Sequence, residues 1–215
     1  MRPFTLSLEL PDTGRRHLPE NGLPGGAIHE FRSLDAGAAH VAFVVLLMVG
    51  LPENTPILWI SFASSAYPPG LAGLGLDPAR CLFAQVKNDA ECLSTLETAL
   101  RGGMAGVAEP HNLSRLAAKR LALAARQGNS IGFLLRQAPA FTPVDSTAPL
   151  TRWLVTPAPA NGSAPQLRVE LLYAKGGRPG VFFYEINKEA DDDASPALVL
   201  VAERPGIAGQ IRRAG

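Results

Sequence analysis

The sequence predicts an α/β protein: a central, mostly parallel sheet flanked by helices, with antiparallel strands extending that sheet at its C-terminal end. Three observations predict it. Between residues 27 and 135, short apolar runs rich in β-branched and aromatic residues alternate with helical stretches, the spacing of strand–helix–strand units. Those runs are nearly continuous, PILWISFA at 56–63 most clearly, which suits strands buried on both faces. After residue 136 the helical spacing stops, and strand-like runs separated by the turn clusters NGSAP, KGGRPG and ADDDASP take over.

Each element follows from local chemistry. Phe4, Leu6, Leu8 and Leu10 alternate as in a short edge strand that Pro11 ends. Residues 22–26 read as a turn and 27–31 (AIHEF) as the first core strand. Asp35 is the expected N-cap of an apolar helix to Val49, stopped by Gly50 and Pro52. Residues 56–63 form the second core strand, LAGLGLD a short helix and turn, and 80–86 (RCLFAQV) the third strand. A helix over 89–101 follows, with Leu93, Leu96 and Leu100 on one face and a Glu97–Arg101 pair one turn apart. Residues 104–108 give a fourth strand. Asn112 is the expected cap of the next helix, to Gln127, and Gly128 its end. Arg115, Lys119 and Arg126 of that helix read as a solvated face. Residues 130–135 are the fifth strand. The Pro-rich loop 136–150 leads to strands at 151–156, 166–174, 181–186 and 197–202, expected to pair antiparallel. The organisation is an N-terminal segment (1–21), one core domain (22–204) and a tail (205–215).

Composition narrows the classes. The chain has 215 residues, 47% of them hydrophobic, enough for a core of its own and too apolar for a disordered chain. Twenty basic against nineteen acidic residues give net charge +1, no support for a DNA-coating protein. Cys81 and Cys92 lack metal-ligand spacing and read as a reduced, cytosolic pair. No secretory leader is expected from MRPFTLSLEL. Residues 36–51 are the stretch closest to a membrane span, but a span needs roughly 20 apolar residues, and this one holds His40 and stops at Pro52. A buried helix is expected.

The stretch 22–47, turn–strand–loop–apolar helix, has the architecture of a phosphate-binding loop. Such a loop needs Gly-x4-Gly-Lys-Ser/Thr: glycines let N–H groups close on phosphate, the Lys neutralises it and the hydroxyl holds Mg²⁺. Here the matching positions are Ser33, Ala38, Ala39 and His40, with Asp35 and Gly37 between. The scaffold is present without its chemistry.

Other candidates have plainer readings. His29 and Glu30 adjoin at a strand end, where a hydrogen bond is expected rather than a catalytic pair. His40 reads as packed or capping, and His111 lacks companions for a metal. Ser61, Ser64 and Ser65 lack a nucleophile elbow. Asp191–Asp193 reads as a solvated turn, and Trp59 and Trp153 as core. No convergent polar set marks a small-molecule enzyme.

Taken in order, GAIHEF, LWIS, GLAGLGLDPARCLF, GGMAGVAE, SIGFLLRQ, TRWLV and VELLYAKGGRPG resemble the RecA core and, more specifically, the ImuA family, RecA-like proteins of inducible mutagenesis. The resemblance covers about residues 20–186. It implies a RecA-like core in which the phosphate-cradling positions have become Ser33, Ala38 and Ala39, and the water-activating carboxylate has become Ala63. Glu109 meets the Mg²⁺-side aspartate, one methylene longer, and Gln137 meets the nucleotide-sensing glutamine. Two survivors do not make a phosphoryl-transfer site, so no catalysis, no resident cofactor and no metal are expected. The resemblance further implies an adaptor or regulator in SOS-induced, error-prone translesion synthesis. Its implied partners are ImuB, a Y-family-like protein, and RecA, with an error-prone replicative-type polymerase reached indirectly. It would work in the cytoplasm at the nucleoid, not at a membrane. The loop from Gln137 to Thr151 holds Asp145 and no cation, so DNA contact is expected to be weak or indirect. The segment before the core is shorter than RecA's polymerisation arm, and no long filaments are expected. The alternative is a RecA-like ATPase or DNA-binding protein with a nonstandard nucleotide site.

Overall fold

Among the described residues, eleven strands and four α-helices follow one another, strands and helices alternating from Ala27 to Gln137. The computed structural model describes residues 4–7, 18, 22–34, 37–63, 66–137, 149–159, 164–187 and 196–205. In order they are Thr5–Ser7 (β1), Gly22–Pro24 (β2), Ala27–Ser33 (β3), Ala39–Val49 (α1), Ile57–Ser61 (β4), Pro68–Gly73 (α2), Cys81–Gln85 (β5) and Asp89–Arg101 (α3). Ala105–Ala108 (β6), Arg115–Gly128 (α4), Ile131–Gln137 (β7), Thr151–Ala158 (β8), Gln166–Ala174 (β9), Gly180–Asn187 (β10) and Ala197–Pro205 (β11) complete the chain.

Nine strands form one sheet in the order β11–β10–β9–β8–β3–β7–β6–β4–β5. The run from β8 to β5 is parallel, and β9, β10 and β11 add antiparallel. One expectation is corrected here: β8 pairs parallel to β3, so the antiparallel extension starts one strand later. The thirteen residues from 138 to 150 give the chain the length a parallel crossover needs. The turn expected at 22–26 also contains a strand, because β2 pairs antiparallel with β1 in a separate two-stranded sheet.

Helix α1 packs on β3, β7 and β8, and α3 and α4 pack together on the other side. α1 is apolar nearly all round and buries Phe43 through Met48. Leu6, Leu18 and Leu23 of the N-terminal region share its core cluster, which explains a helix with no polar face. Phe31 stacks on Trp153 at 6.2 Å and 4°, and Phe43 meets Tyr184 at 5.7 Å. Both tryptophans are core residues, as expected. The opposite cluster joins Ile28, Ile60 and Leu134 of the sheet to Leu96, Leu100 and Leu121 of the helices.

Two glycines set the distance of α3 from the sheet. Gly106 and Gly132 are register partners on β6 and β7. A Cβ on Gly106 would overlap Leu96 Cδ1, and one on Gly132 would lie 2.9 Å from Ile28 Cγ2. The Glu97–Arg101 pair forms at 2.7 Å, and Glu97 also takes Arg120 of α4 at 2.7 Å, tying the two helices.

Helix ends differ from expectation in three places. α1 begins at Ala39 with Ala38 in the cap position and no side-chain cap, so Asp35 is not its N-cap; Asp35 itself lies outside the described residues. α4 is capped by Ser114, whose Oγ accepts from Ala117 N at 3.2 Å. Asn112 is instead held by Asp89. α4 closes at Asn129 in the left-handed region (φ 46°), while Gly128 stands where a Cβ would overlap the Leu100 carbonyl oxygen. The expectations for Leu8, Leu10, Ser64, Ser65, Asp145 and Asp191–Asp193 also fall outside the described residues.

Candidate functional site

Parallel strands deliver their following loops to one edge of the sheet, and ligands of such sheets bind in the crevice there. The loops after β3, β4 and β6 and the end of β7 line a cleft of about 620 Å³ at that edge. Gly37, Ala38 and His40 bound it at the start of α1, Ala63 after β4, Glu109 after β6, and Gln137 at the end of β7. The cleft thus gathers residues that lie a hundred positions apart in the sequence. Ala39 is the first residue of α1. Ser33 is buried at the end of β3, in register with Gln137.

Several polar groups around the cleft are tied to protein partners. Glu109 Oε1 accepts from Trp59 Nε1 at 3.0 Å. Asp89 accepts from the backbone N–H of His111 at 2.8 Å and of Asn112 at 3.0 Å, fixing the loop after β6. Burial pushes the Asp89 carboxyl up, but these bonds and the Asn112 side chain outweigh it, and the carboxyl sits below its ordinary value. The His111 ring packs on Phe62 with centroids 4.3 Å apart. Ser61 donates to the Ala63 carbonyl at 2.5 Å. Among the described residues, no group of His, Cys, Asp and Glu is arranged to hold a metal ion.

The cation on the cleft wall is Arg136, and it belongs to a buried cluster. Glu30 is fully buried and accepts from Arg32 Nε at 2.9 Å, Arg136 Nη1 at 3.1 Å and Arg152 Nε at 2.6 Å. Arg136 Nη2 also donates to the His111 carbonyl at 2.9 Å. Burial alone would raise the Glu30 carboxyl; the Arg152 and Arg32 guanidiniums reverse this and hold it below the usual range. Sequence reasoning missed this cluster, because its members come from three strands; the signal was the Glu30–x–Arg32 spacing of charges inside an otherwise apolar strand.

His29 and Glu30 form no pair, since neighbours on a strand face opposite sides of the sheet. His29 lies inside β3, not at its end. Its Nδ1 is 2.7 Å from Thr151 Oγ1 and its Nε2 is 3.1 Å from the Pro24 carbonyl. The Pro24 carbonyl can only accept, so His29 Nε2–H donates to it; Nδ1 of the neutral ring then accepts the Thr151 hydroxyl proton, and the Thr151 oxygen accepts from Trp153 Nε1 at 2.7 Å. This is a structural network. Both cysteines are free and buried, and burial raises the Cys92 thiol to about 11, so neither has the character of a reactive thiolate.

The fold and cleft define an α/β protein with a crevice at the carboxyl edge of its parallel strands, lined at the start of α1 by Gly37, Ala38 and His40. The chain is 35% identical to Protein ImuA of Caulobacter vibrioides, in strain NA1000 / CB15N and in strain ATCC 19089 / CIP 103742 / CB 15 alike, over 75% of its own length and 75% of theirs. This chain belongs to the ImuA family. No family model matches it.

Proposed function

We propose that this protein is a non-catalytic, RecA-like adaptor or regulator in SOS-induced, error-prone translesion DNA synthesis, acting in the cytoplasm at the nucleoid. It engages ImuB, RecA or both, and through them an error-prone replicative-type polymerase. The observation that carries the reading is the cleft itself. At the start of α1, where a phosphate loop would place a lysine and a hydroxyl, the chain has Ala39 and His40. Arg136, the cation on its wall, is engaged by Glu30 and the His111 carbonyl. Phosphoryl transfer depends on charge placed around the transferring group, and that charge is missing or already spent. A scaffold of this kind without its chemistry is best used as a binding surface.

The test is capture of purified ImuB and RecA by the purified chain, with and without ATP. Binding that persists without ATP supports the reading. Absence of binding to either, or binding that requires ATP held by this chain, overturns it. The second reading, an ATPase with a nonstandard site, is favoured by Glu109 and Gln137 lining one cleft. ATP turnover above background, lost in Glu109→Gln, would establish it.

A further inference from the structure

Helix α4 (RLAAKRLALAARQG) carries four cations, Arg115, Lys119, Arg120 and Arg126, and no acid. Its first turn lacks an acidic residue although the helix dipole favours one there. A helix meant only for water would intersperse acids with its cations at i,i+4 spacing. Leu116 and Leu123 are also 69% and 49% exposed. They stand seven residues, two turns, apart and so lie on one stripe, with Arg120 between them. Beside that stripe runs a groove of about 170 Å³ between α3 and α4, lined by Leu93, Ala117, Arg120 and Leu121. Arg120 is engaged by Glu97 at 2.7 Å. The charge presented to a partner is therefore that of the exposed Lys119 and Arg126 on the far flank of the stripe.

We infer that the α3–α4 groove and the Leu116–Leu123 stripe receive an amphipathic α-helix of a partner protein, apolar along one stripe and acidic beside it. Two leucines separated by two turns match the i/i+7 anchors of a helix lying alongside. The cations beside them select acidic flanks and reject basic ones. Nucleic acid fits less well, because aliphatic leucines offer no surface for base stacking. The inference takes its biological sense from the adaptor reading and names the surface and partner chemistry for it.

The test uses the whole chain and two labelled helical peptides, one of Leu, Ala and Glu, the other with Lys in place of Glu, titrated by fluorescence anisotropy. A single-stranded oligonucleotide is the third probe. The Glu peptide is expected to bind at least about tenfold more tightly than the Lys peptide, and Leu116→Ala with Leu123→Ala to weaken it about tenfold. Lys119→Glu with Arg126→Glu is expected to reverse the preference. All four side chains are exposed, and unchanged thermal unfolding confirms that the variants fold. No binding of the Glu peptide, equal binding of both peptides, or insensitivity to these variants overturns the inference. Preferential binding of the oligonucleotide, lost on charge reversal, overturns it in favour of nucleic acid. If the peptide behaves as expected while ImuB and RecA are not captured, the groove stands and the adaptor reading falls. If capture succeeds but ignores the leucine variants, as the peptide does, the reverse holds.

Discussion

His29 is kept neutral by its surroundings, and this makes stability depend on pH in a defined window. Burial lowers its pKa from 6.5 to about 4, against the opposing bond to the Pro24 carbonyl. Between these values the unfolded chain takes up a proton that the folded chain refuses. The stabilising effect is therefore complete above pH 6.5 and is lost as the pH falls toward 4, by roughly 3 kcal/mol. Glu30 acts lower: its carboxyl is held below 4.5, so its contribution is lost only under more acid conditions. Urea midpoints should thus fall steadily between about pH 6.5 and 4.5, and His29→Gln should flatten that dependence. A wild-type midpoint unchanged across the window would mean that the imidazole is not held neutral by the fold. Neither role was legible in the sequence. At His29 and Glu30 a hydrogen bond was expected rather than a catalytic pair, and His29 does hydrogen-bond. What local sequence could not show is that partners of both, Thr151 and Arg152, come from β8, 122 residues away.

At the scale of elements, α3 lies close to the sheet because Gly106 and Gly132 leave room for Leu96 and Leu100. Gly106→Ala should cost about 1–3 kcal/mol through overpacking. The obstacle is the tip of one side chain, Leu96 Cδ1, so the cost should shrink when Leu96 is shortened. A double-mutant cycle with Leu96→Ala is expected to give a coupling of at least about 0.5 kcal/mol in urea unfolding. Strict additivity would mean that the backbone of β6, not Leu96, resists the methyl group. Existence and type of the elements were readable because they follow from local periodicity: β9 spans the very residues expected, and α3 does too. Ends were less readable. Asn112 and Ser114 are equally good caps by residue type, and the choice falls to Ser114 because Asp89, 23 positions back, binds Asn112. The start of α1 lacks any capping side chain, so no local signal marked it.

At the scale of the whole molecule, helices cover both faces of the sheet, and among the described strands β5 is one of its two outer strands. The parallel arrangement was legible in the spacing of strands and helices, and the cleft followed from it, since parallel strands place their C-terminal loops together. The order of strands was not legible, because pairing across the sheet is decided by contacts far apart in sequence; β8 therefore joined β3 in parallel where an antiparallel strand was expected. That order makes β5 an outer strand, paired only with β4 among the described strands. Its Leu82 and Phe83 are 59% and 47% exposed, and as neighbours they face opposite sides of the sheet. Natural edges are usually protected by charge, proline or a covering element, and β5 (CLFAQ) has neither charge nor proline. The chain is accordingly expected to self-associate through this edge as its concentration rises. Phe83→Lys should raise the concentration at which light scattering departs from that of a monomer, and the thermal midpoint should change little because the side chain is half in water. Unchanged scattering with an intact fold would place the association on another surface and leave the β5 edge closed by something other than a second copy.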